Sequence, residues 1–284
     1  MGNTRMYRRK MRRKRRRRFI TFSLFLLILL ILTGTIIVDK LSSKKVMAED
    51  ALALPNRCEI NQILIKNDAL PQKPKAVEDE KKAEKIAYLT FDDGPSSNVT
   101  PQILDILDKY NVKATFFVIG YLAERNPELI IREYDSGHTI GNHTYSHNYK
   151  YVYRSVKDFF VEIDKNEKVL RNILGEDFQG NLIRFPGGSF GEKRKPFRQA
   201  VEKKGIQYVD WNALNGDAEG HNISKERLVK RLKDTAKGKN NIVILMHDAG
   251  AKKTTVEALP EIIDYLKNEG YEFMAINQEE TNEK

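Results

Sequence analysis

Residues 86–107 read IAYLTFDDGPSSNVTPQILDIL. The stretch begins as an apolar run rich in strand formers and ends in a pattern that predicts an amphipathic helix, opened by Pro101. Between them stand two adjacent carboxylates, Asp92 and Asp93, followed by Gly94 and Pro95. Asp, Gly and Pro are common turn residues, so a plain turn is one reading. The other is a site at the mouth of a barrel, and the rest of the chain discriminates between them.

Downstream, short apolar runs alternate with helical segments. Strands are expected at 86–91, 114–120, 139–143, 182–185, 206–211, 241–247 and 271–276, and helices at 101–110, 127–136, 154–174, 193–204, 224–237 and 254–268. Strict β/α alternation predicts a parallel sheet with helices outside it. About seven strands are few for an eight-fold barrel, so the expected fold is α/β, a distorted, incomplete (β/α) barrel over 85–278. In such barrels chemistry gathers at the C-terminal ends of the strands. The residues expected there are Asp92, Asp93, His143, Arg184, Trp211, His247 and Asp248. A turn alone does not account for that gathering.

The segment before residue 85 has a different character. The 284-residue chain carries a formal net charge of +10, but residues 1–18 alone hold eleven Lys or Arg and no acid. The rest is nearly balanced, with 38 basic and 39 acidic side chains. Residues 19–38, FITFSLFLLILLILTGTIIV, are uncharged. Twenty helical residues span about 30 Å, the thickness of a bilayer core. The expectation is therefore a basic cytoplasmic tail (1–18), a single-pass signal-anchor helix (19–38) and an extracellular linker (39–84), with the tail facing anionic headgroups rather than nucleic acid. A cleaved signal peptide, with KVMAED (45–50) as the cleavage region, is the competing reading. As a flexible coil the 46-residue linker averages on the order of 40 Å end to end. Cys58 is the only cysteine, so no intrachain disulfide is possible.

GNHTYSHN (141–148) holds His143 and His147 in an H-x-x-x-H pair. Four residues apart on a helical turn, two imidazoles face one side and can share a metal; two surface or capping histidines are the alternative. An acid from another strand end would complete a two-His, one-carboxylate set with open positions. Adjacent Asp92 and Asp93 leave a strand pointing in different directions, so one can bind the ion while the other serves as a base; ligation by both is the alternative. Arg184, within an apolar strand, requires a carboxylate partner, and Asp92 suits it. GGSFG (187–191) lacks the Lys of a phosphate loop, and the Gly187 N–H is better placed as an oxyanion donor. His247 suits a general acid steadied by Asp217, or a structural histidine bonded to Asp248.

Together these motifs resemble the polysaccharide deacetylases, carbohydrate esterase family 4, from about Tyr88 to Ile276. TFDDGPS (90–96) is similar to the family's first motif, which puts Asp92 in the base position and Asp93 in the metal-ligand position. HTYSH (143–147) is similar to the second, supplying His143 and His147. RFPGGS (184–189) resembles the third, with Arg184 orienting Asp92 and Gly187 N–H in the oxyanion position. WNALNGD (211–217) resembles the fourth, with Asp217 tuning His247. ILMHD (244–248) resembles the fifth, with His247 as acid and Leu245 lining the acetate pocket; Trp211 joins Leu245 as a substrate contact.

Two departures stand out. Gly187 replaces an aromatic residue, and Ala218 follows Asp217 where the family has Trp; both predict an opened groove. The resemblance implies one divalent ion, zinc first, with cobalt or another ion competent. It also implies a polysaccharide substrate: peptidoglycan N-acetylglucosamine first, with chitooligosaccharide, poly-N-acetylglucosamine, N-acetylmuramic acid or acetylated xylan as alternatives. With the anchor, this places the domain on the outer side of a bacterial cytoplasmic membrane, or in the medium if the anchor is cleaved. A silent glycan-binding module and a two-metal phosphodiesterase are the competing function classes.

Overall fold

The computed structural model describes residues 85–276. The expected tail, spanning segment and linker, with Cys58, lie outside the described residues, as do residues 277 and 278 of the expected domain. Among the described residues, no helix is long and apolar enough to cross a membrane.

Eight parallel strands form one sheet: β1 (Lys85–Gly94), β2 (Thr115–Val118), β3 (Thr139–Asn142), β4 (Leu182–Ile183), β5 (Gln207–Tyr208), β6 (Ala213–Leu214), β7 (Asn241–His247) and β8 (Tyr271–Phe273). Seven run in the order β5-β4-β3-β2-β1-β7-β6, and β8 pairs with β1 beside that path. The expected parallel β/α architecture is present, with one strand more than the sequence suggested. The expected strand 206–211 is cut short to β5, and the additional strand β6 follows it, with Trp211 between the two. These two edge strands do not pair with each other, so the barrel stays open there.

The helices are α1 (Thr100–Tyr110), α2 (Gly120–Arg125), α3 (Pro127–Asp135), α4 (Tyr149–Val152), α5 (Val156–Leu174), α6 (Lys195–Lys203), α7 (Lys225–Ala236) and α8 (Lys253–Asn268). Both α2 and α4 were absent from the sequence reading, each being too short to show a period. Ser155 caps α5, its side chain accepting from the Asp158 N–H.

Alternation along the strands sorts side chains onto two faces. Ala87, Leu89 and Phe91 of β1, with Ile242, Ile244 and Met246 of β7, join the large core shared with helical residues such as Leu104, Leu232 and Ile262. Tyr88 and Val243 instead pack with Phe117, Leu182, Val209 and Ile276 in a smaller cluster. Thr90 and Asp92 continue the Tyr88 face along β1, and Leu245 and His247 continue the Val243 face along β7, so the interior turns polar toward the C-terminal end.

β1 is the most heavily paired strand. β7 follows it from Ile86 to Asp92. Its other edge is divided between β8, at Lys85–Ala87, and β2, from Thr90 to Gly94.

Candidate active site

At the C-terminal end of β1 the chain turns sharply. Asp93 has φ 71, a left-handed conformation uncommon for a residue with a side chain. The turn is locked from the neighbouring strand end: a Cβ on Gly94 would lie only 2.0 Å from Asp248 Oδ2. Asp248 receives a hydrogen bond from Thr100 Oγ1 at 2.5 Å. Burial lifts its pKa to about 7, with Asp93 and Asp92 adding to the rise against the Thr100 bond. Thus Asp248 braces the turn and is not the partner of His247.

Arg184 follows β4 and points into the barrel, fully buried. Its Nη1 donates to Asp92 Oδ1 at 2.9 Å and to Thr90 Oγ1 at 2.6 Å. Its Nε donates to the Val209 carbonyl at 2.9 Å and Nη2 to that of Asp210 at 3.3 Å. The guanidinium lies 4.1 Å from the Phe117 ring centroid and 5.8 Å from that of Trp211. Burial holds the Asp92 carboxyl above its ordinary value, against the opposing pull of Arg184, His247 and His147.

Asp93, His143 and His147 each offer a ligand atom, and these atoms lie within 4.8 Å of one another. Asp93 Oδ1 is 3.5 Å from His143 Nε2 and 3.3 Å from His147 Nε2. His143 is buried, which lowers its pKa to about 3 despite Asp93, so it is a neutral imidazole. Its Nδ1–H donates to the Arg184 carbonyl at 2.8 Å, leaving the Nε2 lone pair turned toward Asp93. Asp93 Oδ1 is itself buried with no hydrogen-bond donor. Acceptors facing one another in this way are favourable with a cation among them, and two imidazoles plus a carboxylate suit a divalent first-row ion. The residues fit the group.

The two histidines do not share a helical turn. Residues 143–148 form a loop in which Thr144 (φ 66) and His147 (φ 54) are left-handed. Side chains of α5 impose this shape. Asn166 Nδ2 donates to the carbonyls of Val118 at 2.8 Å and Thr144 at 2.9 Å, and Glu162 Oε2 accepts from the Ser146 N–H at 2.6 Å. Asn142 Oδ1 accepts from the Thr144 N–H at 2.9 Å. None of these residues was singled out in the sequence. The signal was there: Glu162 and Asn166 occupy the inward stripe of α5, among Phe159, Ile163, Val169 and Leu170, where polar residues need a purpose.

His247 ends β7 beside Asp92 in register. Its Nδ1 donates to Asp217 Oδ1 at 2.7 Å and its main-chain N–H to Asp217 Oδ2 at 2.9 Å. Thr255 Oγ1 adds a third bond to that carboxylate, 2.8 Å long. Burial works against these charges, but the bonds hold Asp217 below its ordinary range. Burial likewise opposes a charged His247. Asp217, with Asp92 and Asp93 behind it, prevails and raises the imidazole to about 9. Leu245 lies two residues earlier on the same face of β7, half-buried.

Gly187 and Gly188 have φ 75 and 85. Among the described residues no acceptor takes the Gly187 N–H. The wall expected to be open here is filled: a Cβ on Gly187 would lie 2.8 Å from Tyr149 Oη. Burial, then the charge of Asp93, raises the Tyr149 hydroxyl, with Asp92 a smaller contributor. On the other side of the turn, Trp211 meets Phe190 edge to face at 5.3 Å, and Phe190 is 56% exposed. Ala218 is exposed.

Comparison with known proteins agrees with this arrangement. A family model described as polysaccharide deacetylase matches residues 79–209. A peptidoglycan-N-acetylglucosamine deacetylase of Bacillus cereus is 36% identical over 203 residues, covering 69% of this chain and 88% of the relative. The peptidoglycan-N-acetylglucosamine deacetylase PgdA of Listeria monocytogenes is 34% identical over 209 residues, 74% of this chain but only 41% of its own length. Among solved structures, a CE4 esterase from Streptococcus mutans superposes with a TM-score of 0.64 at 34% identity, covering 68% of this chain and 87% of that one. In sequence and in fold alike, the chain belongs to the polysaccharide deacetylase family.

Proposed function

We propose that the chain is a metal-dependent N-deacetylase of a cell-envelope polysaccharide, with peptidoglycan N-acetylglucosamine as its substrate and acetate as the released product. The observation that carries this reading is the pairing of two unlike acid–base groups beside one ligand set. Asp92, gripped by Arg184, and His247, gripped by Asp217, are neighbours in register, and both lie next to the Asp93, His143 and His147 cluster. The names of the relatives supply the polymer.

When bound by Asp93, His143 and His147, a divalent ion, zinc first or cobalt, would polarise the acetamide carbonyl and acidify water. Asp92 takes a proton from the water that attacks the carbonyl carbon. Its raised pKa makes it a stronger base than an exposed carboxylate. Arg184 keeps the deprotonated form oriented. The Gly187 N–H receives charge that develops on the acyl oxygen. His247, doubly protonated at neutral pH, delivers its Nε2 proton to the departing nitrogen as the C–N bond breaks. A new C–O bond replaces the C–N bond, and acetate and a glycan amine are formed. Leu245 and Trp211 flank the acyl group and the sugar.

The location belongs to the same proposal. Residues 19–38 would hold the chain in the cytoplasmic membrane with the catalytic domain outside, and residues 39–84 would let it reach the wall. The test is acetate release from purified peptidoglycan and from chitopentaose by the zinc- or cobalt-loaded chain, with Asp92→Asn as control. Release from peptidoglycan that the substitution abolishes supports the reading. Release from chitopentaose alone moves the substrate to a bare glycan, and no acetate from either overturns the reading.

A further inference from the structure

Tyr149 opens α4, two residues after His147. Its ring stands at 90° to the His147 ring, with centroids 5.3 Å apart. Tyr153 supports it from behind at 6.1 Å. The phenol tip reaches the main chain of Gly187, where a Cβ would meet Oη at 2.8 Å and Cε1 at 3.0 Å. Gly187 is required twice over, by its left-handed φ and by the ring that occupies its side-chain space.

The hydroxyl is therefore held against the segment whose N–H is unclaimed, on the rim of the ligand cluster. Tyr149 is 46% exposed, and among the described residues no group hydrogen-bonds to its hydroxyl. A tyrosine packed through its ring with an unused O–H is built to present that O–H to something else. Two neighbouring donors without partners, beside a group that would polarise a carbonyl, form the arrangement that stabilises a developing oxyanion.

We propose that the Tyr149 hydroxyl is a second hydrogen-bond donor, beside the Gly187 N–H, to the acyl oxygen of the substrate. The inference rests on the deacetylase reading of the same site. It makes Tyr149 a catalytic residue of this chain, supplied by the first residue of α4 rather than by residue 187.

Tyr149→Phe keeps the ring against His147 and removes only the O–H. The expected result is a fall in kcat of about 100-fold with KM little changed, as for loss of one oxyanion donor. Tyr149→Ala, which also removes the ring, should raise KM in addition. A second measurement needs no turnover: acetate binding to the zinc-loaded chain, followed by NMR titration, should weaken in Tyr149→Phe. A wild-type chain that releases no acetate from any glycan would defeat the deacetylase reading, while the acetate titration would still decide on the tyrosine. Undiminished kcat in Tyr149→Phe, or equal acetate affinity in the two proteins, would overturn the inference and leave Tyr149 as a wall.

Discussion

Arg184 Nη1 meets Asp92 Oδ1 at 2.9 Å inside the barrel, with the guanidinium wholly and the carboxylate almost wholly removed from solvent. Each charge is tolerable only because the other is present. Arg184→Met would leave Asp92 buried without its partner, at an expected cost of about 3–5 kcal/mol in unfolding free energy. The double substitution Asp92→Asn with Arg184→Met should recover most of that loss. Urea unfolding of the single and double variants measures both, and a single-variant loss no larger than that of the double would contradict the pairing.

The ligand cluster makes a quantitative claim about stoichiometry. The chain should bind one zinc or cobalt ion, and Asp93→Ala or His147→Ala should each abolish tight binding. An ion at 100 times its Kd would raise unfolding stability by about 2.7 kcal/mol, and Asp93→Ala should erase the increase. Calorimetric titration together with melting curves reads this directly. Two ions per chain would point to phosphodiester chemistry instead.

In the proposed mechanism His247 is the general acid, so activity would belong to its protonated form. Activity should fall as pH rises through the imidazole pKa of about 9. Asp217 is the principal group holding that value up, so Asp217→Asn should move the alkaline limb of the kcat profile toward lower pH and reduce the maximum. An alkaline limb that stays in place would assign it to another group.

Glu133 lies on the inner side of α3, fully buried, and neither carboxylate oxygen has a hydrogen-bond partner. Burial first, then the charge of Asp248, raises its pKa well above 4.5. The native state thus keeps a proton that the unfolded chain releases. Stability is lost as pH rises above 4.5, until the folded pKa is passed. Glu133→Met should therefore stabilise the protein by about 1–3 kcal/mol near pH 7, and by less at pH 5. Equal effects at the two pH values would show that the carboxyl is not the cause.

Much of this was legible in the residues. The alternation of apolar runs located the parallel sheet because strands buried on both faces read as continuous hydrophobic stretches. Arg184 within LIRF demanded a carboxylate, and the structure places Asp92 against it. Periodicity failed where elements are only a few residues long, as in β6 and α4, and it put Trp211 inside a strand that ends at Tyr208. It also put the histidine pair on a helical turn, because spacing alone carries no information about φ. The shape of that loop is set by Asn166 and Glu162, about twenty residues downstream, and Tyr149 fills a gap at residue 187 that local sequence presents as empty. Contacts of that kind become visible only when distant segments are brought together.

The most heavily paired strand of the sheet comes first among the described strands, and two of its partners come last. β1 is flanked by β7 and β8, separated from it by well over a hundred residues, before its pairing is complete. A ribosome releasing this chain from the N-terminus therefore delivers β1 long before β7 and β8. The long-range pairing is slow in kind, and the exposed edges of β1 are a hazard during the wait. The pairing of β1 is complete only once residues 241–273 have emerged. The last strands to be made are therefore the ones that complete the sheet, so a chain truncated before residue 241 would leave one edge of β1 unpaired.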